Sequence, residues 1–452
     1  MINSVRPWRL LKASPALVLF LAAWTVYNLN CRPITSGDTA PAALLPFAIV
    51  LDGTLNLDRY AEGMARLYYD NPYFLRYKEG HAYSRYPIVV PLLLSPAYLP
   101  LRLAPGIRDW PMSRVIVLAR VLEKIWASAI AAVSVAALWL LLCRLTERKY
   151  ALWLALVFGF ATNTWSTSSQ ALWQHGMTQL TIILSLLFVE RFLASGSRRA
   201  CAMAALFAAL SFGVRPTNVL FFAIACVALL MFARDRRTVL ASFGGFGLLM
   251  GGALALYNLR VFGSLTGGYA DESFGGAFLA GLASVSLSPS HGLFVYSPVV
   301  LFALAGMALC LRPGAIPSRA ILAISACFFW SLLILYAHYP VWWGGACYGP
   351  RYMTDAIPAA VLLMMPLLPW LKRSRLARAA FAGAAVFSLA VQLVGAFSYP
   401  LGERPDRSFW DWKHNPIVSN ASAGVYTQGY DVLWDYLRGR QPDFRKRGLR
   451  VQ

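Results

Sequence analysis

Charged residues are scarce in this chain. They account for 13% of its 452 residues, whereas hydrophobic residues account for 58%. A soluble protein of this length needs far more polar side chains to cover its core. The composition therefore argues against a soluble protein and favours a chain that lies largely within a membrane.

Long runs without Asp, Glu, Lys or Arg hold many of the apolar residues. The clearest runs are Leu17–Leu29, Ile125–Leu142, Thr178–Phe188, Val239–Tyr257, Leu293–Leu311 and Ile321–Tyr336. About 20 apolar residues in a helix cross the ~30 Å hydrocarbon layer. Only helices or closed barrels satisfy the hydrogen bonds of the backbone in this layer. The runs lack the alternation of apolar and polar residues that barrel strands show, so helices are predicted.

Carboxylates are scarcer than cations, with 20 Asp and Glu against 41 Lys and Arg and a net charge of +21. Such an excess could indicate a nucleic-acid partner. The cations, however, cluster in short connections between the apolar runs, at 144–149, 198–199, 234–237 and 372–378. Cytoplasmic loops of membrane proteins carry this bias. The charge therefore indicates topology, and no nucleic-acid partner is expected.

Placing these connections on the cytoplasmic side predicts an all-α polytopic bundle of about 11 transmembrane helices, within a range of 11 to 13. The predicted spans are 13–30, 114–143, 149–164, 175–194, 200–214, 216–233, 238–259, 292–311, 319–338, 353–371 and 378–398. The first span is expected to be uncleaved, with a cytoplasmic N-terminus. One membrane domain, 1–398, is then followed by a C-terminal tail on the outer side, 399–452.

The first outer loop, residues 31–113, is long and is expected to carry surface helices. Its segment Pro87–Leu103 is apolar enough to span, but four prolines interrupt its helix geometry. If it crossed the membrane, the basic connection at 144–149 would lie outside, against the charge rule. We therefore expect a re-entrant or surface helix, and a twelfth span is the alternative.

Sequence motifs for common cofactors are absent. The chain has no CxxC pair, no His/Cys metal spacing, no Walker loop, no Rossmann turn and no zincin motif. A disulfide between Cys31 and Cys347, both on the predicted outer side, is left open. Any chemistry is therefore sought among the polar residues of the outer loops.

Asp38 follows the first predicted span in the sequence Thr35-Ser-Gly-Asp-Thr-Ala-Pro41. The glycine before it and the proline after it predict a fixed turn that opens a helix, with Asp38 near the helix N-terminus. The functional hypothesis is a carboxylate held at the membrane surface as a general base. The alternative is that Asp38 only caps the helix.

Four residues on the predicted outer side are candidates for contact with a phosphate group: Arg85, His175, Arg215 and Arg351. Cations there oppose the usual charge bias, and an arginine such as Arg215 between two spans is costly unless it is paired or meets a head group. Arg351 is the strongest candidate because it opens a span from the outside and can bind phosphate through its planar fork. An ordinary satisfied polar contact is the alternative for His175.

Aromatic residues in the outer segments are candidates for stacking on a sugar. Trp173 lies in a stretch rich in hydroxyls and amides, and Trp343, Tyr348 and Tyr352 lie in the glycine-rich stretch 338–355. The glycines allow close approach of the backbone. The alternative is an aromatic belt at the membrane interface.

Four phrases together resemble the GT-C superfamily of membrane glycosyltransferases, whose members include protein O-mannosyltransferases, the lipid A aminoarabinose transferase and the catalytic subunit of oligosaccharyltransferase. The phrases are Gly37-Asp38, Tyr86-Pro87 with the apolar segment that follows, Leu172-Trp-Gln-His175, and Trp343-Gly-Gly with Tyr348-Gly-Pro-Arg-Tyr352.

The resemblance implies transfer of a sugar from a polyprenyl-phosphate donor to a glycan, lipid or protein acceptor. It places the reaction on the periplasmic face of a bacterial inner membrane, with Asp38 as the base and outer arginines on the leaving phosphate. Many relatives carry an acidic pair, whereas Thr39 follows Asp38 here. This departure puts metal ligation by such a pair in doubt, and a divalent metal is left open.

The chief rival hypothesis is a transporter or flippase of a lipid-linked or small polar substrate. Such proteins often show inverted repeats and helices broken at mid-membrane, neither of which is clear in this sequence. A third hypothesis is a non-catalytic assembly protein in which Asp38 is only a cap.

Overall fold

The computed structural model describes residues 14–68, 72–310, 318–402, 408–427 and 429–430. The structure is mostly helical, with 74% helix and 2% strand. The α-helices among the described residues are α1 (Pro15–Asn28), α2 (Ala40–Phe47), α3 (Asp58–Tyr68), α4 (Val89–Tyr98), α5 (Met112–Leu145), α6 (Arg148–Phe160), α7 (Gln174–Ser195), α8 (Arg198–Val214), α9 (Val219–Phe232), α10 (Arg236–Phe262), α11 (Phe278–Leu287), α12 (Leu293–Tyr296), α13 (Leu301–Cys310), α14 (Arg319–Ala337), α15 (Ile357–Leu363), α16 (Leu368–Arg373), α17 (Arg375–Phe397) and α18 (Pro416–Ala423).

Shorter helical turns join these helices. They are Gly37–Thr39, Ala48–Asp52, Leu99–Leu103, Ile107–Asp109, Thr164–Ser168, Pro216–Asn218, Gly267–Tyr269, Pro298–Val300, Arg351–Ala356 and Met365–Leu367. Two antiparallel strands, β1 (Leu75–Lys78) and β2 (His81–Ser84), form a hairpin in which Leu75 pairs with Ser84. Glu79 and Gly80 make its two-residue turn with φ of 52° and 83°, the left-handed conformation that such hairpins require.

Among the residues that the structure describes, six helical segments are long and apolar enough to cross a membrane. They are Met112–Leu145, Gln174–Ser195, Arg236–Phe262, Arg319–Ala337, Arg351–Arg373 and Arg375–Phe397. Shorter apolar helices, such as Pro15–Asn28 and Pro216–Phe232, accompany them. This pattern is that of a multi-pass membrane protein. Each of the eleven predicted spans is helical over most of its length. The number of these helices that cross the membrane stays a prediction.

Local sequence determines where several helices begin and end. The hydroxyl oxygens of Ser14, Ser197 and Ser374 accept hydrogen bonds from the first-turn amides of α1, α8 and α17. Gly196 and Gly263 end α7 and α10 in the left-handed conformation, with φ of 68° and 70°. Helix α5 has 34 residues and is about 50 Å long at 1.5 Å per residue, so it can extend beyond a ~30 Å hydrocarbon layer.

The main core lies where the long helices pack side by side. Helix α7 packs along α5 and α8, α1 packs along α5, and α14 packs against α9 and α15. Ala204, Ala205 and Ala208 on α8 are fully buried. Small side chains at such positions let helices approach closely, which is how apolar helices associate without a hydrophobic driving force in lipid.

The segment between α1 and α5 forms a second apolar core with the first part of α5. Leu45, Phe47, Tyr60 and Phe74 are buried together there. The proline-rich segment Pro87–Leu103 is helical over most of its length, and its helix α4 packs against α2. Its location relative to the membrane stays a prediction.

The described residues of the C-terminal segment, 408–427 and 429–430, fold back over the end of the bundle that carries the described residues between α1 and α5. Helix α18 packs against α17. Ser288 Oγ donates to the carbonyl of Phe409 at 2.6 Å, and the Tyr430 hydroxyl donates to the carbonyl of Leu29 at 2.6 Å. We call this end of the bundle the loop end.

Candidate active site

Asp38 lies in the short turn that leads into α2, as the sequence predicts. Ser36 caps this turn, because its Oγ accepts a hydrogen bond from the Asp38 amide at 3.0 Å. A Cβ on Gly37 would lie 2.7 Å from atoms of both Tyr73 and Phe74, so glycine lets the turn lie against those residues. Since Ser36 is the cap, the Asp38 carboxylate is left to bind other side chains.

Three residues from distant parts of the chain donate to the Asp38 carboxylate. The hydroxyls of Tyr73 and Tyr86 each donate to Oδ1 at 2.7 Å. Arg351 Nη1 donates to Oδ2 at 2.5 Å. We call these four residues the Asp38 cluster. The side chains of Asp38 and Arg351 are 17% and 9% exposed, so the ion pair lies just beneath the surface.

The surroundings of Asp38 favour its ionised form. Burial opposes ionisation, but Arg351 and the hydroxyls of Tyr86 and Tyr73 outweigh it, so the pKa of Asp38 lies below its usual value. Burial and then the carboxylate raise the pKa of both tyrosines. At neutral pH the tyrosines are therefore protonated donors and Asp38 is a charged acceptor.

The guanidinium of Arg351 is enclosed by aromatic rings and backbone. Its carbon lies 4.6 Å from the ring centre of Trp173 and 5.2 Å from that of Tyr352. A Cβ on Gly344, whose φ is +78°, would lie 3.2 Å from Arg351 Nε. That Nε is buried and has no hydrogen-bond partner within the described part of the chain. Trp173 therefore packs a face of its ring against Arg351, whereas stacking on a sugar would need a free ring face.

A second charged cluster centres on Asp355, which is fully buried. Its Oδ1 lies 2.7 Å from His175 Nδ1, and its Oδ2 accepts from Arg215 Nη1 at 3.2 Å and from Asn218 Nδ2 at 3.3 Å. Arg215 Nη2 also donates to the Tyr336 hydroxyl at 2.6 Å. We call these five residues the Asp355 cluster. His175 and Arg215, which the sequence predicts at a phosphate, are thus bound to a carboxylate of the protein in the interior.

Asp355 is a site residue that the sequence analysis misses. It lies four residues after Arg351, and the turn Arg351–Ala356 carries both side chains. A carboxylate at the start of an apolar helix is itself a signal, because an ionised group there needs a partner. Of the tyrosines that bind Asp38, Tyr86 lies in one of the four family-like phrases, but no role was predicted for it. Nothing in the local sequence of Tyr73 distinguishes it from other tyrosines of the loop.

Tyr352 connects the two clusters. Its ring centre lies 5.2 Å from the guanidinium carbons of both Arg351 and Arg215. One face of the ring stacks on Tyr336, with centroids 4.6 Å apart and planes 7° apart. Tyr352 therefore lies in a supporting place between two cations, and its role in sugar stacking stays a prediction.

Arg85 belongs to a third polar group beside these clusters. Its Nη2 donates to Glu272 Oε1 at 2.5 Å and its Nε to the carbonyl of Gly268 at 3.1 Å. The Tyr339 hydroxyl donates to the other oxygen of Glu272. Arg85, a predicted phosphate contact, is therefore paired with Glu272 and attaches the loop before α5 to the segment before α11.

The polar stretch 162–173 lies inside the protein rather than in an open loop. Every one of its residues is buried. Asn163 Nδ2 donates to Thr354 Oγ1 at 2.5 Å and to the carbonyl of Pro350 at 3.0 Å. Ser166 Oγ donates to Gln392 Oε1 at 2.6 Å. Its hydroxyls and amides therefore hold the turn that bears Arg351, and they do not form an open sugar-binding surface.

The other two predicted sugar-stacking residues differ in exposure. Tyr348 is 2% exposed and donates its hydroxyl to a backbone carbonyl of α17 at 2.9 Å, so it is a core residue. Trp343 is half-buried and packs against Phe409 with ring centroids 4.7 Å apart. Cys31 and Cys347 are not bonded to each other, so the disulfide left open by the sequence is not formed.

The Asp38 cluster brings together an ionised carboxylate, a cation with an unused buried N–H and two phenol donors. Such a set can accept a proton from a substrate hydroxyl and bind an anionic leaving group. Among the residues that the structure describes, no three His, Cys, Asp or Glu side chains come together in a way that could hold a metal ion.

Comparison with known proteins gives no family assignment: no protein-family model and no curated protein matches this chain.

Proposed function

We propose that this chain is an integral membrane glycosyltransferase that transfers a sugar from a polyprenyl phosphate to a hydroxyl of a glycan, lipid or protein. The observation that carries the proposal is the Asp38–Arg351 ion pair, in which a carboxylate suited to act as a base lies beside a guanidinium suited to bind phosphate. The resemblance of the sequence to the GT-C superfamily supports it. In this proposal about eleven helices cross a bacterial inner membrane, and the loop end faces the periplasm.

The proposed reaction needs one proton acceptor and one counter-charge. The acceptor hydroxyl oxygen attacks the anomeric carbon of the sugar, and its proton passes to the Asp38 carboxylate. The bond between that carbon and the phosphate oxygen breaks, and the polyprenyl phosphate leaves with the bonding electrons. Arg351 stabilises the charge that develops on the phosphate. No step is routed through a metal.

In this proposal Arg351 binds two anions in turn, first the Asp38 carboxylate and then the phosphate of the donor. Paired with Arg351, Asp38 is a weak base, because a neighbouring cation favours its ionised form. A phosphate oxygen that binds the unused Nε–H draws the guanidinium toward the donor. Asp38 then loses part of its counter-charge and becomes more basic, so the base strengthens when the donor is bound.

The Asp355 cluster acts as support in this proposal. Asp355 anchors the turn Arg351–Ala356 to α7 through His175 and to the α8–α9 junction through Arg215. These contacts fix the backbone from which Arg351 reaches Asp38. Among the predicted sugar-stacking residues, Trp343 is the one whose partial exposure suits contact with a sugar.

The test compares Asp38→Asn with wild type in lipid nanodiscs that contain polyprenyl-phosphate sugars. Released polyprenyl phosphate and glycosylated acceptor are measured by mass spectrometry. General-base catalysis contributes about 10²–10⁴-fold, so a loss of that size is expected. Asp271→Asn is the matched control, because Asp271 is a surface carboxylate paired with Arg76.

Full transfer activity in Asp38→Asn contradicts the assignment of the base. Movement of the lipid-linked sugar across the bilayer without transfer would instead favour the transporter hypothesis. The mass profile of surface glycans in a deletion strain identifies the sugar and the acceptor to use in the assay.

A further inference from the structure

Arg32 is a buried cation at the loop end, six residues before Asp38. The residue is 8% exposed. Its Nη2 donates to the carbonyl of Tyr399, and its guanidinium carbon lies 4.0 Å from the ring centre of Tyr426. Its Nε is buried and has no hydrogen-bond partner among the residues that the structure describes.

Lys124 is a second buried cation in the same region, and its residue is 6% exposed. The ammonium donates to Gln170 Oε1 at 2.7 Å and to the carbonyl of Ser169 at 3.3 Å. The same Gln170 oxygen accepts from Asn30 Nδ2 at 2.7 Å, which ties Lys124 to the chain two residues before Arg32. Arg32 and Lys124 are therefore linked through Gln170 and the short segment Asn30–Arg32.

Neither cation forms an ion pair within the part of the chain that the structure describes. Glu123, the neighbour of Lys124, is already engaged, because it pairs with Arg120 at 2.7 Å and accepts from the Leu172 amide at 3.2 Å. Two like charges brought together beneath a protein surface are costly unless an anion joins them. The other charged clusters at this end, around Asp38 and Asp355, each have a carboxylate of their own.

We propose that Arg32 and Lys124 form a binding site for a phosphate-type oxyanion. The unused Nε–H of Arg32 donates to one oxygen of the anion, and the Lys124 ammonium supplies the second positive charge. Asn30 Oδ1 is also buried and finds no partner in the described ranges, which suits a water bound to the anion. The site is separate from the Asp38 cluster, and the proposal does not rest on the transfer reaction.

Two sources can supply this chemistry: free phosphate from solution and the head group of an anionic lipid. Tyr426, which lies over Arg32, is half-buried, and Cys31 beside Arg32 is exposed, so the site opens toward the surface. An oxyanion at this place would connect α5, which carries Lys124, with Tyr399 and Tyr426 of the C-terminal segment, which Arg32 contacts. Its binding should therefore stabilise the fold.

The experiment measures thermal unfolding of the full chain in detergent, with and without inorganic phosphate at constant ionic strength. Phosphate is expected to raise the melting midpoint of wild type by about 2 °C or more. The double variant Arg32→Gln/Lys124→Met should lose this increase. Without phosphate it should melt at or above the wild-type midpoint, because the repulsion is gone. Arg198→Gln, which removes an exposed cation, should keep the full response to phosphate.

Native mass spectrometry distinguishes the two sources. Loss of bound phosphatidylglycerol in the double variant assigns the site to a lipid head group, and a loss of the phosphate response alone assigns it to the free anion. The single variant Arg32→Gln repeats both measurements if the double variant does not fold. Equal phosphate response and equal lipid retention in wild type and variant would overturn the proposal.

Discussion

The guanidinium of Arg351 lies 2.5 Å from the carboxylate of Asp38, although 313 positions separate the two residues in the chain. The short turn that begins at Arg351 also carries Asp355, which pairs with Arg215 at 3.2 Å. One turn thus supplies the cation of one ion pair and the anion of another. Tyr352 lies between the two guanidinium groups.

Loss of the Arg351 side chain should weaken donor use more than acceptor use. Arg351→Ala removes the proposed phosphate contact, and truncating one partner of a buried charge pair commonly costs about 2–5 kcal/mol. We expect the apparent KM for the donor to rise about 10-fold or more, with a smaller change for the acceptor. Steady-state kinetics with each substrate varied in turn measure this, and Arg76→Gln is the surface control. An unchanged donor KM would remove Arg351 from the phosphate site.

Acid should remove the stability that Asp38 contributes. The pKa of Asp38 is lowered in the folded protein, so its contribution is complete above the unfolded value of about 4 and is lost as the pH falls through the folded value. Thermal unfolding of wild type and Asp38→Asn between about pH 3 and 7 measures it. The advantage of wild type should be constant from pH 5 to 7 and shrink below about pH 4. A difference that does not depend on pH would contradict the ion pair.

Asp355→Asn should destabilise the fold strongly. It leaves Arg215 buried without its carboxylate, and breaking such a pair costs about 3–5 kcal/mol. Tyr336→Phe removes one hydrogen bond to the same arginine and should cost only about 1 kcal/mol. Thermal unfolding in detergent compares the two variants. Equal midpoints for both would show that Asp355 does not anchor this cluster.

Gly37→Ala should impair activity through geometry alone. Its Cβ would lie 2.7 Å from Tyr73 and Phe74, so the turn that bears Asp38 must move away from a hydroxyl that binds it. We expect roughly a 10²-fold loss of transfer, since small displacements of reacting groups have effects of that order. Gly275→Ala is the control, because a Cβ there meets nothing within 4 Å. Normal activity in Gly37→Ala would show that the turn tolerates displacement.

Cysteine labelling should locate the segment Pro87–Leu103 relative to the membrane. Leu103 is 84% exposed, so Leu103→Cys offers a reactive thiol once the exposed Cys31 and Cys327 are replaced by serine. We expect an impermeant reagent added to the outside of cells to label it. Labelling from the cytoplasmic side alone would make this segment a span.

The sequence by itself determined the class of the protein. The backbone hydrogen bonds of these apolar runs are satisfied in lipid when the runs are helical. Basic connections between spans prefer the cytoplasmic side. The turn at Asp38 also depends on local sequence, because Gly37 and the serine cap act within a few residues. Arg351 was recognisable as an unusual cation at the start of an apolar helix.

Only the tertiary structure decided which of these residues meet. The sequence named Arg85, His175, Arg215 and Arg351 as phosphate candidates, with Arg351 the strongest, but Glu272 and Asp355 bind the first three through ion pairs or hydrogen bonds. Tyr348 lies in the core and Tyr352 stacks on Tyr336, which no local pattern shows. Pairing of this kind depends on contacts between residues far apart in the chain, whereas composition and spacing report only on neighbours. That is why Asp38 could be selected from the sequence, while its partnership with Arg351 required the fold.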